Sequence, residues 1–374
     1  MTRDYLRPTY AEVDLGALRK NYQKISRKYS PIPLMPVIKA NAYGHGALAA
    51  AQVYEKEGAP ILGVATIEEG IELRKAGVKT PILVLGSVYP FENFSPMIDF
   101  SLTPTIASLT SALALDKASK SKGKITKYHL KIDTGMRRIG ISPDTALKIW
   151  SHLKDLDSLE LEGVFTHLSS ADMDPEETSL QLERFNELIG KIESPRYIHA
   201  ANTAGMINSK NSRFSLLRPG LALYGLYPLG LDSSDIELEP ALTLKSSVVF
   251  LKEVSKDVGI SYGLSWRACR KTKIASLSIG YADGFRRSLS NRGKVLIRGV
   301  ECPVVGRVCM DMIMVDVGEL PKVAVGDEAI IIGYSGERRI SAEEMAADAG
   351  TINYEILTGI SSRVPRVYTD SGGS

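Results

Sequence analysis

The first strand-to-helix segment of the chain contains the run Val37-Ile38-Lys39-Ala40-Asn41-Ala42-Tyr43-Gly44-His45-Gly46. The apolar residues 34–38 predict a buried strand, the two glycines allow a sharp turn, and residues 47–58 predict a helix. In a parallel barrel the carboxyl ends of the strands face the active site, so Lys39 is expected there. Such a lysine either extends its amine to solvent or is buried, and burial lowers its pKa toward reactive values.

The alternation of apolar runs and helical stretches continues to about residue 225. Further strand candidates are residues 61–65, 81–85, 101–105, 128–132, 161–166, 197–200 and 216–218. Helix candidates are residues 67–77, 106–120, 143–156 and 176–192. About eight strand–helix units is the number that closes a parallel barrel. We therefore expect a (β/α)8 barrel of the TIM type over residues 11–237.

The sequence pattern changes beyond Glu239-Pro240, where β-branched residues and tight turns replace helical periodicity. Residues 275–279 alternate between apolar side chains and serine, which is typical of a half-buried strand. One helix is predicted at residues 341–349, capped by Ser341 with Glu344 at the third following position. The pattern predicts a mostly antiparallel C-terminal β domain, formed by residues 238–374 with residues 1–10.

The composition excludes several classes of protein. The chain has 374 residues, of which 44% are hydrophobic and 24% charged, and its formal net charge is +3. This balance does not favour nucleic acid or a membrane as a partner. Its three cysteines, Cys269, Cys302 and Cys309, lack the spacing of a disulfide framework or a metal site, so no metal is expected. Residues 1–8 contain no apolar run of a signal peptide, so we expect a cytoplasmic protein.

Residues 37–46 resemble the cofactor-lysine signature of the alanine racemases, a family of fold-type III pyridoxal-phosphate enzymes. The resemblance implies that Lys39 carries pyridoxal 5'-phosphate as N6-pyridoxal phosphate lysine. Further matching segments follow in order along the chain, from residues 12–15 to residues 363–366. The family combines a barrel with a β domain, in agreement with the two patterns above.

The matching run at residues 217–225 places Arg218 beneath the cofactor ring, and the run at residues 165–172 makes His167 its hydrogen-bonding partner. Many pyridoxal-phosphate enzymes instead place a carboxylate there, which keeps the ring nitrogen protonated. An arginine cannot accept that proton, so the ring becomes a weaker electron sink. This favours returning a proton to the α-carbon over losing a carboxylate or an amine.

The cofactor phosphate needs hydrogen-bond donors. Residues 202–205 follow a predicted strand and precede a helix, so their backbone amides and the Thr203 hydroxyl can bind an anion. The full set of cofactor-binding residues that we expect is Lys39, Tyr43, His167, Asn202, Thr203, Arg218, Gly220, Leu221 and Tyr354.

Residues 131–140 resemble the family segment that follows a middle strand. The resemblance assigns Arg138 to the cofactor phenolic oxygen and to the substrate carboxylate. It also implies that Lys131 is carbamylated to N6-carboxylysine and orients Arg138, since the modification turns a cation into an anion. The alternative is that Lys131 is an ordinary surface lysine.

Racemisation removes the α-proton from one face and returns a proton to the other, so two acid–base groups are expected. Lys39 supplies one, and the resemblance assigns the other to Tyr262. A tyrosine has a reference pKa of about 10 and needs a cationic or hydrogen-bonding environment to act as a base near neutrality. His167 and Arg218 are the candidates for that environment.

In this family the β domain of one subunit covers the barrel of the other, which implies a homodimer with shared active sites. Tyr262, Tyr281, Met310 and Asp311 would then act on the partner's barrel. The resemblance places Tyr281 at the substrate entrance, and the Met310 amide and Asp311 near the substrate carboxylate. A narrow gate of Tyr281 and Tyr354 favours a side chain no larger than methyl.

The resemblance implies interconversion of L-alanine and D-alanine by a two-base mechanism, which supplies D-alanine for peptidoglycan synthesis. A non-catalytic carrier on a single barrel would lack the second domain and Tyr262. A decarboxylase of the same two-domain plan generally has a carboxylate at the ring nitrogen and a cysteine on the opposite face, where this chain has Arg218 and Tyr262. A racemase of broader specificity, acting on serine or larger amino acids, remains the alternative.

Overall fold

The computed structural model describes residues 6–228, 230 and 236–371, which form two compact units. The β unit contains the residues up to Ala17, Tyr43–Gly46 and the residues from Pro240 onward. The barrel unit contains Leu18–Ala42 and Ala47–Glu239. The sequence-based division was residues 11–237 against residues 1–10 and 238–374; residues 1–5, 229, 231–235 and 372–374 lie outside the described residues.

The first two elements lie before the first predicted strand. Strand β1 (Tyr10–Asp14) belongs to the β unit, since it pairs there with two other strands. Helix α1 (Leu15–Tyr29) follows it directly, with Asp14 Oδ1 accepting hydrogen bonds from the amides of Gly16 and Ala17. Because β1 pairs with strands of the β unit, that unit extends to residue 17 and includes the start of α1.

The barrel unit alternates parallel strands with helices. Its elements are α2 (Ala47–Lys56), β2 (Leu62–Val64), α3 (Ile67–Lys75), β3 (Ile82–Val84), α4 (Phe94–Asp99), β4 (Thr103–Ile106), α5 (Leu109–Ser121), β5 (Thr126–Lys131), α6 (Pro143–Lys154), β6 (Leu159–Phe165), α7 (Pro175–Ile189), β7 (Tyr197–His199) and α8 (Thr203–Asn208). Strands β2 to β7 pair in sequence order, and each described pair is parallel.

Two irregular segments close this sheet into a barrel. Residues 34–38 bond to β2 on one side, where the Ile38 amide donates to the Gly63 carbonyl at 2.8 Å. On the other side the Met35 amide donates to the Leu217 carbonyl at 2.7 Å, and the Ser215 amide donates to Ile198 at 3.0 Å. Eight parallel segments of the described residues therefore form the ring, which confirms the predicted barrel.

Two predicted boundaries differ from the structure for local reasons. Residues 34–38 form isolated bridges rather than a regular strand, because Pro36 has no amide hydrogen for the ladder. The helix predicted from residue 106 begins at Leu109, since Ile106 belongs to β4 and Ser108 caps the helix by accepting from the Ser111 amide.

The β unit continues from residue 240 with mainly antiparallel strands. Its elements are β8 (Leu242–Val254), β9 (Gly259–Ile260), β10 (Trp266–Arg267), β11 (Thr272–Leu277), β12 (Lys294–Ile297), β13 (Val300–Pro303), β14 (Ile313–Asp316), β15 (Glu328–Ser335), β16 (Arg338–Ile340), α9 (Ala342–Ala349), α10 (Asn353–Thr358) and β17 (Arg366–Thr369). The long strand β8 pairs with β1, β11 and β15. The parallel pair β1–β17 is an exception to the antiparallel pattern. The predicted β domain is confirmed.

Helix α9 begins with the predicted capping box. The Ser341 hydroxyl accepts from the Glu344 amide at 3.0 Å, and the Glu344 carboxylate accepts from the Ser341 amide at 2.8 Å. Helix α10, which carries Tyr354, was not predicted. Within the described ranges, no helix is long and apolar enough to cross a membrane.

Two glycines shape the turn that precedes α2. Gly44 and Gly46 have φ of +86° and +101°, which L-residues rarely adopt. A Cβ atom at Gly44 would overlap the Leu357 carbonyl, and one at Gly46 would overlap the Tyr368 hydroxyl. The Gly44 carbonyl also accepts a hydrogen bond from Arg366 Nε at 2.9 Å. Both positions therefore require glycine.

We expect Gly44→Ala to lower the free energy of unfolding by about 3 kcal/mol, because strained backbone and steric overlap act together. Gly58→Ala is the matched control: Gly58 has φ +78°, but a Cβ there would meet nothing within 4 Å. Its cost should be about 1 kcal/mol. Urea unfolding of both variants measures the difference. Equal losses would show that the overlap with Leu357 contributes nothing.

Candidate active site

Lys39 is followed by a short left-handed turn. Residues 40–43 have φ between 51° and 53°, although none of them is glycine. Each L-residue in this conformation costs roughly 1–2 kcal/mol, and such strain concentrates at functional sites. Two side chains hold the turn: Glu69 Oε1 accepts from the Ala40 amide at 2.6 Å, and Asn41 Oδ1 accepts from the Ala47 amide at 2.8 Å.

Sequence reasoning missed Glu69, although its motif was visible. Thr66 and Glu69 form a capping box at the start of α3, and Glu69 Oε2 accepts from the Ala65 amide at 2.7 Å. The same carboxylate reaches the Ala40 amide with its other oxygen. The cap of one barrel helix therefore fixes the turn that carries Lys39.

Cations concentrate at the carboxyl ends of the barrel strands. Burial lowers the pKa of Lys39, and the nearby Arg138 and Arg218 lower it further, although Glu69 opposes them. Burial, Arg138, Arg218 and Lys39 together lower the pKa of Lys131 to about 8. A region with this charge favours anionic ligands and leaves its lysines easier to deprotonate.

Arg218 is almost fully buried, with 3% of its surface exposed. One terminal nitrogen donates to the carbonyls of Thr166 at 2.9 Å and Ala200 at 2.8 Å, and lies 3.3 Å from His167 Nδ1. The other terminal nitrogen lies 2.9 Å from His199 Nδ1. Burial lowers the pKa of Arg218 to about 9, so the guanidinium is still a cation at neutral pH.

Donors of this guanidinium are left over at Nε and at the second hydrogen of the terminal nitrogen that contacts His199. Among the hydrogen bonds of residues 6–228, 230 and 236–371, none uses Nε of Arg218. His167, which sequence reasoning paired with Arg218, is in contact with it. His199, which sequence reasoning did not single out, is the second imidazole partner. The available Nε–H fits a ligand that presents a hydrogen-bond acceptor.

Thr203 and Gly220 form a second group of donors in the barrel unit. The Thr203 side-chain oxygen accepts from the amides of Gly220 at 3.1 Å and Ala222 at 3.4 Å, which leaves its own proton to donate. Asn202 caps α8 by accepting from the Gly205 amide at 2.9 Å. Leu221 begins the short 3-10 turn that follows Gly220. The Thr203 hydroxyl, oriented by these amides, is a donor that suits a phosphate.

In the β unit, the rings of Tyr43 and Tyr354 lie with their centroids 6.0 Å apart. Burial, with a smaller effect of Tyr354, raises the pKa of Tyr43, so its hydroxyl stays protonated and able to donate. The Arg366 contact with Gly44, described above, holds the backbone next to Tyr43. The two expected phosphate-binding tyrosines are therefore neighbours within this unit.

The β unit also holds together the segments that carry Tyr262, Tyr281 and Met310. Tyr262 is 71% exposed at a sharp turn, where the preceding Ser261 hydroxyl donates to the Arg307 carbonyl at 2.6 Å. The Tyr281 amide donates to the Cys309 carbonyl at 3.0 Å. Residues 307–310 thus connect the turn of Tyr262 with the turn of Tyr281.

Residues next to these turns take part in an ion-pair network. Arg363 donates to Asp311 at 2.8 Å and lies 3.6 Å from Asp283, which is fully buried. Arg7 binds both carboxylate oxygens of Asp283, at 2.8 and 3.0 Å. Burial raises the pKa of Asp283, but the hydrogen bonds from Arg7 and the Gly280 amide outweigh this and lower it overall. Sequence reasoning found Asp311 but missed Arg7, Asp283 and Arg363, because their pairing spans distant parts of the chain.

No group of three or more histidine, cysteine, aspartate and glutamate side chains in the described part of the chain could hold a metal ion.

Comparison with known proteins identifies the family. The family model for the alanine racemase N-terminal domain matches residues 13–228, and the one for the C-terminal domain matches residues 241–368. Alanine racemase of Carboxydothermus hydrogenoformans is 46% identical, over 97% of this chain and all of the relative. That of Halothermothrix orenii is 42% identical over the full length of both chains.

Solved structures agree with this assignment. Alanine racemase of Clostridium difficile 630 superposes with a TM-score of 0.93 at 41% identity, covering 98% of this chain and 97% of that one. The Bacillus anthracis alanine racemase with bound L-Ala-P gives a TM-score of 0.91 at 36% identity, covering 99% and 97%. This chain belongs to the alanine racemase family and is an isomerase of the racemase class.

Proposed function

We propose that the protein interconverts L-alanine and D-alanine with pyridoxal 5'-phosphate bound through Lys39. The observation that carries the proposal is the group of cations around Lys39, in which Arg218 keeps its Nε donor available. Such a group fits a cofactor that brings a phosphate, a phenolic oxygen and a ring nitrogen as acceptors. In the cell this activity would supply D-alanine for peptidoglycan from the cytoplasm.

Donors of the described residues would fit each part of the cofactor. The expected phosphate donors are Thr203 and the amides of Gly220 and Leu221, together with Tyr43 and Tyr354; since the Gly220 amide donates to Thr203 Oγ1, it would act by orienting that hydroxyl or by turning to the phosphate. Arg218 Nε would donate to the ring nitrogen, and Arg138 would meet the phenolic oxygen and the substrate carboxylate. The cofactor withdraws electrons from the α-carbon of the bound amino acid, which makes its proton removable.

Lys39 and Tyr262 would move the proton, one on each face of the substrate. The lowered pKa of Lys39 supports its action as a base, because a larger fraction of its amine is neutral. We propose that Lys39 removes the proton of D-alanine at its Nζ atom and that Tyr262 removes the proton of L-alanine at its hydroxyl oxygen. His167 and Arg218 would supply the polar environment.

Carbamylation of Lys131 is part of the proposal. Carbon dioxide reacts with neutral amines, and a pKa of about 8 instead of 10.5 increases the neutral fraction at neutral pH by roughly 300-fold. The amine nitrogen would bond to the carbon of carbon dioxide and lose a proton to solvent. The resulting anion would pair with Arg138 and offset one of the surrounding cations.

A homodimer with shared sites is supported by the apolar side chains that the β unit exposes. Phe250, Tyr262, Leu264, Met310 and Met312 are between 46% and 71% exposed. Phe250 and Tyr262 line the same pocket, and exposed apolar side chains that lie together mark interaction surfaces more often than scattered ones do. We propose that this face covers the barrel of a second copy, so that Tyr262, Tyr281, Met310 and Asp311 complete the partner's site. Tyr281 and Tyr354 would then limit the substrate side chain to methyl.

The purified protein should contain pyridoxal 5'-phosphate and racemise alanine, with much slower turnover of serine and larger amino acids. Lys39→Ala should abolish the visible absorbance of lysine-bound cofactor, whereas Lys210→Ala, which removes an exposed lysine, should leave it unchanged. The assay is absorbance spectroscopy followed by chiral chromatography of the products. Comparable rates for serine would replace the proposal with a racemase of broader specificity. A retained cofactor band in Lys39→Ala would refute the assignment of the lysine.

Tyr262→Phe should lower the racemisation kcat by at least about 1,000-fold, since one of the two proton-transfer groups is lost. Cofactor absorbance should not change, because Tyr262 does not hold the cofactor in this proposal. Tyr334→Phe is the control, because Tyr334 is also an exposed tyrosine of the β unit. An active Tyr262→Phe enzyme would contradict the two-base scheme.

Mixed dimers test whether sites are shared between subunits. Lys39→Ala and Tyr262→Phe subunits, each inactive alone, should regain up to half of the wild-type activity per dimer that contains one of each. In such a dimer one site has both wild-type residues and the other lacks both. Tagged subunits, purified over two affinity columns, give the verified mixed dimer. If it stays inactive, each subunit must use its own Tyr262.

A further inference from the structure

A chain of buried polar side chains runs from Arg218 through the barrel interior. Arg218 lies 2.9 Å from His199 Nδ1, and His199 Nε2 lies 2.8 Å from His129 Nδ1. His129 Nε2 lies 3.5 Å from Glu162 Oε2. Both histidines are fully buried, and Glu162 is 7% exposed. The other oxygen of Glu162 accepts from Lys127 at 3.1 Å, where the chain reaches solvent.

The arginine at one end of this chain of side chains and the carboxylate at the other determine which nitrogen of each imidazole carries the proton. Arginine only donates hydrogen bonds, so the Nδ1 atom of His199 must be the acceptor and its Nε2 must carry the proton. That proton points at Nδ1 of His129, which must also be an acceptor. The remaining His129 proton lies on Nε2 and faces Glu162, a carboxylate that only accepts. This one arrangement satisfies the contacts of His199, and it directs the Nε2 proton of His129 at Glu162, whose nearer oxygen lies 3.5 Å away, longer than an ordinary hydrogen bond.

Both imidazoles are neutral, as this arrangement requires. Burial lowers the pKa of His199 well below its usual value, and Arg218 and His129 lower it further. Burial also lowers the pKa of His129, although Glu162 opposes this effect and Arg218 adds to it. The nearby His129 is the largest influence on Glu162 and lowers its pKa, so the carboxylate is charged at neutral pH.

The backbone of β5 and β6 brings the side chains of His129 and Glu162 together. In the pairing of β5 with β6, Tyr128 lies opposite Leu161 and His129 lies opposite Gly163, so Glu162 is the extra residue of a β-bulge. Bulges redirect side chains, and this one brings a glutamate to a barrel histidine. A Cβ atom at Gly163 would lie 2.6 Å from the His129 ring, so the glycine makes room for the imidazole.

The His199 ring is held from the side as well. It stacks on Phe165 with ring centroids 4.7 Å apart and an angle of 4° between the planes. The guanidinium of Arg218 lies 5.4 Å from the centroid of the same Phe165 ring. The partner of Arg218 is thus fixed both by stacking and by its hydrogen bonds.

We propose that Glu162 and His129 are positioning residues of the active site: they orient His199 and, through it, hold the Arg218 guanidinium with Nε directed at the cofactor ring. The inference depends on the proposed function for its effect on catalysis. It assigns no contact with substrate or cofactor to Glu162 or His129. The alternative is a purely structural role, in which Glu162 serves as the ion-pair partner of Lys127.

Glu160 offers a matched control for that alternative. It lies two residues before Glu162 on the same strand, is exposed, and also contacts Lys127, at 3.7 Å. It has no contact with either histidine among the interactions of the described residues. Glu160→Gln therefore tests the loss of a Lys127 partner. Glu162→Gln and Glu162→Leu test the weakening and the loss of the contact between Glu162 and His129.

The experiment uses holoenzyme with histidine rings labelled with 15N. In the wild type, NMR should show a slowly exchanging Nε2–H group on each of His129 and His199, which His129→Phe and His199→Phe variants assign. Glu162→Leu should remove the slow exchange of the His129 signal and lower kcat about 10- to 100-fold, the usual range for residues that orient a functional group. KM should not change, because Arg138 and not Arg218 faces the substrate carboxylate.

Glu162→Gln should show partial rescue, because its amide oxygen can still accept from His129. We expect a shifted His129 N–H resonance, since a neutral acceptor binds more weakly, and a kcat between those of Glu162→Leu and the wild type. This isosteric variant also keeps the test valid if Glu162→Leu does not fold. Glu160→Gln should match the wild type in both measurements.

The outcomes separate the two proposals. If Glu162→Gln retains the wild-type His129 resonance and kcat, or if Glu160→Gln has the same effect as Glu162→Gln, the positioning role is wrong. If the wild type shows the two Nε2–H groups but neither binds pyridoxal 5'-phosphate nor racemises alanine, the proposed function is wrong. In that case the chain of contacts to Arg218 would stand without its catalytic effect.

Discussion

The structure of the barrel site depends on one buried cation. The guanidinium of Arg218 is 3% exposed, and a charge taken out of water is costly unless acceptors replace the lost hydration. The carbonyls of Thr166 and Ala200 and the rings of His167 and His199 supply those acceptors. These groups lie at the carboxyl ends of β6 and β7, so satisfying one side chain fixes the relative positions of the strand ends that carry the site.

The surroundings of Arg218 explain why the site favours anions. The acceptors are neutral, so the charge of Arg218 acts on Lys39 and Lys131, whose pKa values it lowers. Arg138 lowers both pKa values by more than Arg218 does, and burial lowers them most. A bound phosphate and a carbamate on Lys131 would each reduce this repulsion. The same charge distribution therefore supports both the proposed cofactor and the proposed modification.

Local patterns were readable from the sequence, whereas long-range pairings were not. The alternation of strands and helices predicted the barrel, and the spacing of Ser341 and Glu344 predicted the cap of α9, because both signals lie within a few residues. The left-handed turn after Lys39 was not predictable, since alanine does not favour positive φ and the turn depends on Glu69 from another element. Likewise, His129 and Glu162 lie inside predicted strands, but their contact requires a bulge that no single strand pattern encodes.

The indirect position of Glu162 has a physical consequence for Arg218. A carboxylate placed directly against the guanidinium would bind two of its donors side by side, as arginine–carboxylate pairs commonly do. The arrangement in the structure engages His199 with one terminal nitrogen, while the other binds backbone carbonyls and His167. Nε then remains for a ligand atom, and the balancing negative charge lies beyond two imidazole rings. An arginine held in this way can donate to a ring nitrogen and still act as a full cation, which a directly paired arginine could not do to the same extent.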